Sequence, residues 1–195
     1  MRKPPRLPKT MSSGGFTLIE AVLVLSLIGI MMAIAMPRID ATRFQVDAGV
    51  REVAAAITGY RGQAITKQHD FVLTFDVQGD RINVLFDANN NGETDEGEQQ
   101  VTVLLAEEVA LGLGGAAALN GASEAISFSK RSENLPALTF HRNGAGSEEG
   151  TVYVTAARAA RIGGWPEYTR ALVIERSTGR VHCSSYRTLE WTEGC

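Results

Sequence analysis

The amino-acid sequence predicts an α+β protein. One long N-terminal helix, membrane-spanning in its first half and amphipathic in its second, packs on an antiparallel β-sheet. Three observations carry that prediction. Residues Phe16 to Met36 run apolar, with Glu20 as their only charge. Beyond them Ile39, Val46, Val50, Val53, Ile57, Tyr60 and Ala64 recur three, four or seven residues apart, one stripe of a helix. From residue 70 onward, short runs of β-branched and aromatic residues alternate with Gly, Asn, Asp and Ser turn signals.

The first 15 residues, "MRKPPRLPKTMSSGG", hold Arg2, Lys3, Arg6 and Lys9 and no acid. The chain has 195 residues, with 19 Lys and Arg against 22 Asp and Glu. Setting aside those four bases leaves an acidic body with a net charge of −7. Such a body excludes general attraction to nucleic acid or anionic lipid, though not a local basic patch.

The run from Phe16 to Met36, as one helix, reaches roughly 31 Å at about 1.5 Å per residue, close to the hydrocarbon thickness of a bilayer. Basic residues before it keep the leader cytoplasmic and place the bulk of the chain outside. "AIA" at 33–35 resembles a signal-peptidase site, but the stretch is longer than a secretory signal and carries a carboxylate. The stripe that follows predicts one continuous helix to about Lys67. Pro37 introduces a kink, because proline cannot donate to the carbonyl four residues back. The resulting organisation is 1–15 leader, 16–36 span, 37–69 amphipathic half of the helix and 70–195 β-rich domain.

The predicted strands are 71–77, 81–87, 100–111, 125–129, 137–141, 151–157, 170–175 and 180–186, a meander covering the helix stripe. "GLGGAAALNGASE" (112–124) reads as a flexible insertion. It fits a loose G-x-G-x-x-A string but opens no βαβ helix, so it is no dinucleotide site.

"DANNNGETDEGE" (87–98) fits the calcium-loop pattern, with Asp87, Asn89, Asn91, Gly92 and Glu98 in its defined places. Calcium takes six to eight oxygens. Asp87, Asn89, Asn91, the Glu93 carbonyl, Asp95 and a bidentate Glu98 would supply them. The alternative is an acidic hairpin loop turned by Asn91-Gly92. The flanks read as strands, so no EF-hand domain is implied.

His69, His141 and His182 are isolated in the sequence, and no nucleophile elbow, phosphate loop or C-x-x-C pair occurs. The reading is non-enzymatic, with no cofactor beyond a candidate calcium. Cys183 and Cys195 are either a disulfide pair or two separate thiols. Export of the C-terminal part favours the pair, closing a ring of about 13 residues worth roughly 3 kcal/mol on the chain-entropy model.

A basic leader ending in glycine, then "FTLIE", an apolar run and an amphipathic helix resemble the class III signal of type IV prepilins. "FDANNNGETDEGEQQV", "LTFHRNGAGS", "GTVYV" and "RALVIERSTGRV" resemble the GspH/FimT group of minor pseudopilins and minor type IV pilins. That resemblance implies a type IV pilin-like fold, prepilin-peptidase cleavage between Gly15 and Phe16, N-methylation of Phe16, and an assembly role for Glu20. It implies a single-pass protein of the bacterial inner membrane, N-terminus cytoplasmic and C-terminal domain periplasmic. The implied function is a minor pseudopilin of a type II secretion system, a structural subunit at or near the pseudopilus tip. Its partners would be other minor and major pseudopilins, the prepilin peptidase and the inner-membrane assembly platform.

The alternative is a FimT-like minor pilin of a type IV pilus, binding DNA during uptake. Arg158, Arg161, Arg170, Arg176, Arg180 and Arg187 supply the charge for that reading, or else a solvated sheet face. The "GRVH" at 179–182 departs from the "GRxR" of DNA-binding relatives, since His182 replaces the second arginine. The 112–136 segment and the tail after "TGR" also depart from the family pattern.

Overall fold

The computed structural model describes residues 15–35, 41–119, 121 and 123–195, which divide into two units, 1–40 and 41–195. In the first unit, helix α1 spans Leu18–Ala35. It starts two residues later than expected because Thr17 caps it. The Thr17 hydroxyl accepts the Glu20 N–H at 3.3 Å, and the Ala21 N–H reaches the Thr17 carbonyl. Among the described residues no helix is long and apolar enough to cross a membrane. The 18 residues of α1 measure about 27 Å, against roughly 30 Å of hydrocarbon. Pro37 and its expected kink lie outside the described residues, as do Met36 and Ile39.

In the second unit, helix α2 spans Ala41–Lys67. Its stripe buries Val46, Val50, Val53, Ile57 and Ala64 as expected, with Tyr60 partly covered. Gly49 lies on the same face, and a Cβ there would stand 2.8 Å from the Val109 side chain, so the helix approaches the sheet closely at this point.

The strands are β1 Asp70–Asp76, β2 Arg81–Asp87, β3 Gln99–Leu104, β4 Val109–Leu111, β5 Arg131–Ser132, β6 Leu135–Phe140, β7 Gly150–Ala156, β8 Arg170–Ile174, β9 Val181–Arg187 and β10 Glu190–Glu193. A short helix α3 (Ala157–Ile162) and a 3-10 turn (Pro166–Tyr168) join β7 to β8. The expected single meander is instead two five-stranded antiparallel sheets, ordered β3-β2-β1-β6-β5 and β10-β9-β8-β7-β4. Alternation along β1 sends Phe71, Leu73 and Phe75 to the α2 side, where they join Leu138, Phe140, Val152, Val154, Leu172 and Ile174. On the other face Val72 packs with Leu85 and Ala137.

Four further expectations change. The run 100–111 is not one strand. It turns at Ala106–Val109, where the Val109 N–H donates to the Ala106 carbonyl, and so passes from one sheet to the other. Segment 125–129 forms only a bridge at Ile126↔Val152, because Ser127 and Ala125 make just two further backbone bonds to β7. The end of the predicted strand 151–157 is already helical, since Ala157 begins α3. Finally, the described part of 112–124 is tied down. Its Leu113 carbonyl accepts the Thr169 hydroxyl, its Ala117 carbonyl accepts the Trp191 indole N–H, and its Leu119 N–H donates to the Tyr153 hydroxyl.

Candidate functional site

Gly15, Phe16 and Thr17 precede α1 outside any helix or strand. Phe16 is 84% exposed, and a Cβ on Gly15 would meet open space. Gly15 and Phe16 thus lie exposed in a non-helical segment. Glu20 sits in the first turn of α1, where a carboxylate is favoured by the helix dipole. With Thr17 it spells the Thr-x-x-Glu capping pattern, a local signal that sequence reading had passed over.

Around Glu20, α1 is apolar on every side and exposed on every side. Leu18, Ile19, Leu23, Leu25, Ile30, Met31 and Met32 all stand open. An apolar surface of this kind is far above what a soluble protein leaves uncovered.

The 87–98 loop closes on itself. Asp87, fully buried, accepts the Asn91 and Gly92 N–H groups at 3.1 and 2.7 Å. The side-chain amides of Asn89 and Asn91 both donate to Asp95 Oδ2, at 2.6 and 2.7 Å. Asn91 Oδ1 accepts the Glu93 N–H, and Glu98 folds back to accept the Ala88 and Asp95 N–H groups. Gly92 and Gly97 adopt the left-handed backbone that the tight path requires. The donor set is oxygen-only, and Glu98 is brought back to the loop's first turn beside Asp87, which suits a hard cation in type. Yet the side chains of Asp87, Asn89, Asn91, Asp95 and Glu98 each already have a partner within the loop. Among the described residues no three His, Cys, Asp or Glu side chains group to hold a metal ion. The loop's shape is therefore set by its own hydrogen bonds.

Cys183 on β9 and Cys195 are joined as a disulfide, Cα atoms 5.7 Å apart, which fastens β10 beside β9. Two of the three histidines that looked isolated have carboxylate partners, and His69 packs edge-on against Phe86 instead. His141 Nδ1 lies 2.6 Å from Asp70 Oδ2, and His182 Nε2 lies 2.9 Å from Glu175 Oε1. Both line an open groove of about 880 Å³ with Glu149, Arg176, Ser177 and Glu193. Bonds from the Thr178 hydroxyl and from His182 hold the Glu175 carboxyl below its usual range.

Arg170, counted from sequence among the surface arginines, is buried to 1% exposure. It pairs with Asp47 of α2 at 2.8 Å and donates to the Glu167 and Thr169 carbonyls. At the other end of α2, Arg61 Nε donates to the carbonyls of Gly144 and Thr178. Crowding at this end of α2, together with a positive φ at each position, requires glycine at 144 in "RNGAGS" and at 179 in "STGR". A Cβ on Gly144 would collide with Ile65, and one on Gly179 with the Gly144 carbonyl and Arg61. Arg158 lies over the Trp165 ring, 5.0 Å from its centroid.

No family profile matches the chain. Over 90 residues it is 32% identical to the pilin-like protein PilA1 of Thermus thermophilus, covering 46% of this chain and 58% of that protein. The chain thus spans little more than half the length of this curated relative. Among solved structures it is similar to the minor pseudopilin EpsH of the Vibrio cholerae type 2 secretion system. That match has a TM-score of 0.48 and 14% identity, covering 72% of this chain and 97% of that one. It is also similar to the type IV minor pilin FimU of Pseudomonas aeruginosa, with TM-score 0.46 and 14% identity, covering 78% and 96%.

Proposed function

We propose that the chain is a structural, non-enzymatic filament subunit: a minor pseudopilin of a type II secretion system, working at or near the pseudopilus tip. The observation that carries the proposal is α1, apolar and exposed on all sides directly after an accessible Gly15–Phe16 bond. With Phe16, Thr17 and Met36 added, the apolar stretch reaches bilayer length, and the basic leader orients it N-terminus inward. On this reading a prepilin peptidase cuts before Phe16 and methylates the new amine. The helix waits in the bacterial inner membrane with the domain in the periplasm, and the assembly platform then passes it into a filament of minor and major pseudopilins. There Glu20 meets a terminal amine four residues from it in sequence, on its own or a neighbouring chain, so the acid does not enter the apolar core unpaired.

Processing is tested by mass spectrometry of the protein expressed with and without the peptidase. An intact 1–15 leader in both would overturn the reading. Deletion separates the two filaments: lost exoprotein secretion supports the pseudopilus, and lost transformation or twitching supports a FimT-like minor pilin. The DNA-binding form of that alternative loses one arginine to the core, since Arg170 is engaged by Asp47. Salt-dependent binding of duplex DNA by the 41–195 fragment would restore it.

Calcium at the 87–98 loop is a separate proposal, with Asp87, Asn89, Asn91, Glu93, Asp95 and Glu98 as its ligand set. It would add to a loop already closed by hydrogen bonds. Calorimetric titration of the same fragment is expected to show a weak, millimolar heat, and none at all removes calcium from the account.

A further inference from the structure

The step from α3 to the 3-10 turn, "RAARIGGWPEY" at 158–168, sets two arginines and an isoleucine beside Trp165 and Tyr168, which pack against the core by only part of their surface. Ile162 is 67% exposed, Arg158 and Arg161 are exposed, and Trp165 and Tyr168 are only half covered. Gly163 and Gly164, both with positive φ, turn the chain sharply between the isoleucine and the tryptophan. Arg158, Trp165 and Tyr168 line a cavity of about 210 Å³ whose remaining wall includes Thr42, in the first turn of α2. That turn also exposes Phe44, on another side of the helix. Glu167 lies in the 3-10 turn, and Glu107 and Glu108 lie beside the start of α3, whose Ala157 N–H donates to the Glu108 carbonyl. The patch is therefore mixed in charge, and simple attraction to a polyanion does not describe it.

Tryptophan, tyrosine, arginine and an exposed aliphatic side chain together are what the interface of a phospholipid bilayer selects. Aromatic rings settle at headgroup level, and arginine covers apolar surface while reaching phosphate. The location fits the same occupant. The chain enters this unit at Ala41, one residue before Thr42. If residues 16–36 span the bilayer, the step from Met36 to Ala41 reaches at most about 18 Å even when extended, so the tether allows this cavity to reach the membrane surface.

We propose that 158–168, with the first turn of α2, is a membrane-contact surface that seats the globular unit on the phospholipid headgroup layer before assembly. Arg158 and Arg161 meet phosphates, and Ile162 and Trp165 enter the boundary between headgroups and acyl chains. The inference rests on the spanning role proposed for 16–36. Withdrawal of the subunit into a filament then requires this contact to release.

The test uses the full chain in nanodiscs of phosphatidylethanolamine and phosphatidylglycerol containing a lipid brominated near the headgroup. The protein has two tryptophans, so Trp191→Phe leaves Trp165 as reporter and Trp165→Phe leaves Trp191. Trp165 is expected to lose about half its fluorescence and Trp191 almost none, and Arg158→Gln with Arg161→Gln to restore most of the Trp165 signal. Should Trp191→Phe fold poorly, the difference between wild type and Trp165→Phe gives the same quantity. Equal quenching of both tryptophans, or of neither, in a chain that resists carbonate extraction overturns this inference alone. A chain that does not insert at all overturns the spanning role and this inference with it.

A second arm uses the 41–195 fragment, whose core, among the described residues, starts at Val46 and takes nothing from α1. It is expected to co-sediment with anionic vesicles at low salt, about fivefold less for each arginine removed. Retention on duplex DNA through the same arginines, with no vesicle association, would assign the patch to nucleic acid and overturn the proposal.

Discussion

Helices α1 and α2 stand next to each other in the chain and are built on opposite plans. α1 is apolar on all sides and lacks a stripe. α2 is half polar, and its single apolar stripe forms one wall of the domain core. The difference teaches that helical periodicity reports what a helix packs against within its own chain. A helix without periodicity reports a surrounding that is apolar all round. The stability of the domain should therefore depend on α2 and its attachments and be indifferent to α1, while assembly should show the reverse.

The sharpest way to break this comparison is Arg170→Ala. It leaves Asp47 on α2 without its buried partner and removes the bonds to the Glu167 and Thr169 carbonyls. Asp47 keeps about a quarter of its side chain in solvent, so the loss of these charge-assisted bonds should cost about 2–3 kcal/mol, and urea denaturation of the 41–195 fragment should show it. Replacing both cysteines with serine should cost about 2–4 kcal/mol and free β10 first, seen as faster amide exchange at Trp191 and Thr192.

A smaller effect should come from acid. The Gly79 N–H and the Arg81 guanidinium hold the Asp76 carboxyl below its ordinary range. Burial pushes Glu148 up, but the Ser129 hydroxyl and the Lys130 N–H outweigh it, so that group is also lowered. Carboxyls depressed in the folded state contribute stability above the unfolded pKa and lose it as pH falls through the folded one. Denaturation midpoints should therefore decline below about pH 4, and Asp76→Asn should flatten that decline. The smallest expected change tests α1 itself. Removing residues 1–40, or Glu20→Ala in the full chain, should leave the domain's stability within about 0.5 kcal/mol. Glu20→Ala should nonetheless abolish filament incorporation, measured by cross-linking to the major subunit.

What sequence reading could see follows the same division. The α2 stripe was legible because each buried position repeats the 3.6-residue period, and most strands were legible because β-branched runs end at turn residues. The break within 100–111 was not, since Leu104-Leu105 before Ala106 and Val109-Ala110-Leu111 after Glu108 look like one apolar run. The turn hydrogen bond at Ala106–Val109 divides the sheets there, with the Leu105 and Leu111 N–H groups both bonded to Asp80. β10 escaped because "EWTE" is short and largely polar, and it is a strand by virtue of its pairing to β9. The burial of Arg170 had no local signal, as Asp47 lies 123 residues away. His141 was missed for the same reason, with Asp70 at 71 residues' distance. In the 87–98 loop the pattern of oxygens was plain, but not that backbone N–H groups would claim them.

The two arginine clamps on α2 also have a mechanical meaning. Asp47 near its start is held by Arg170, and Arg61 near its end holds two loops, about 21 Å further along the helix. A pull along the helix axis loads both clamps and the whole Val46–Ala64 seam in shear, so they must fail together. A sideways pull would open them one after the other. A pull on Ala41 directed along α2 would therefore load the domain in the stronger of those two directions.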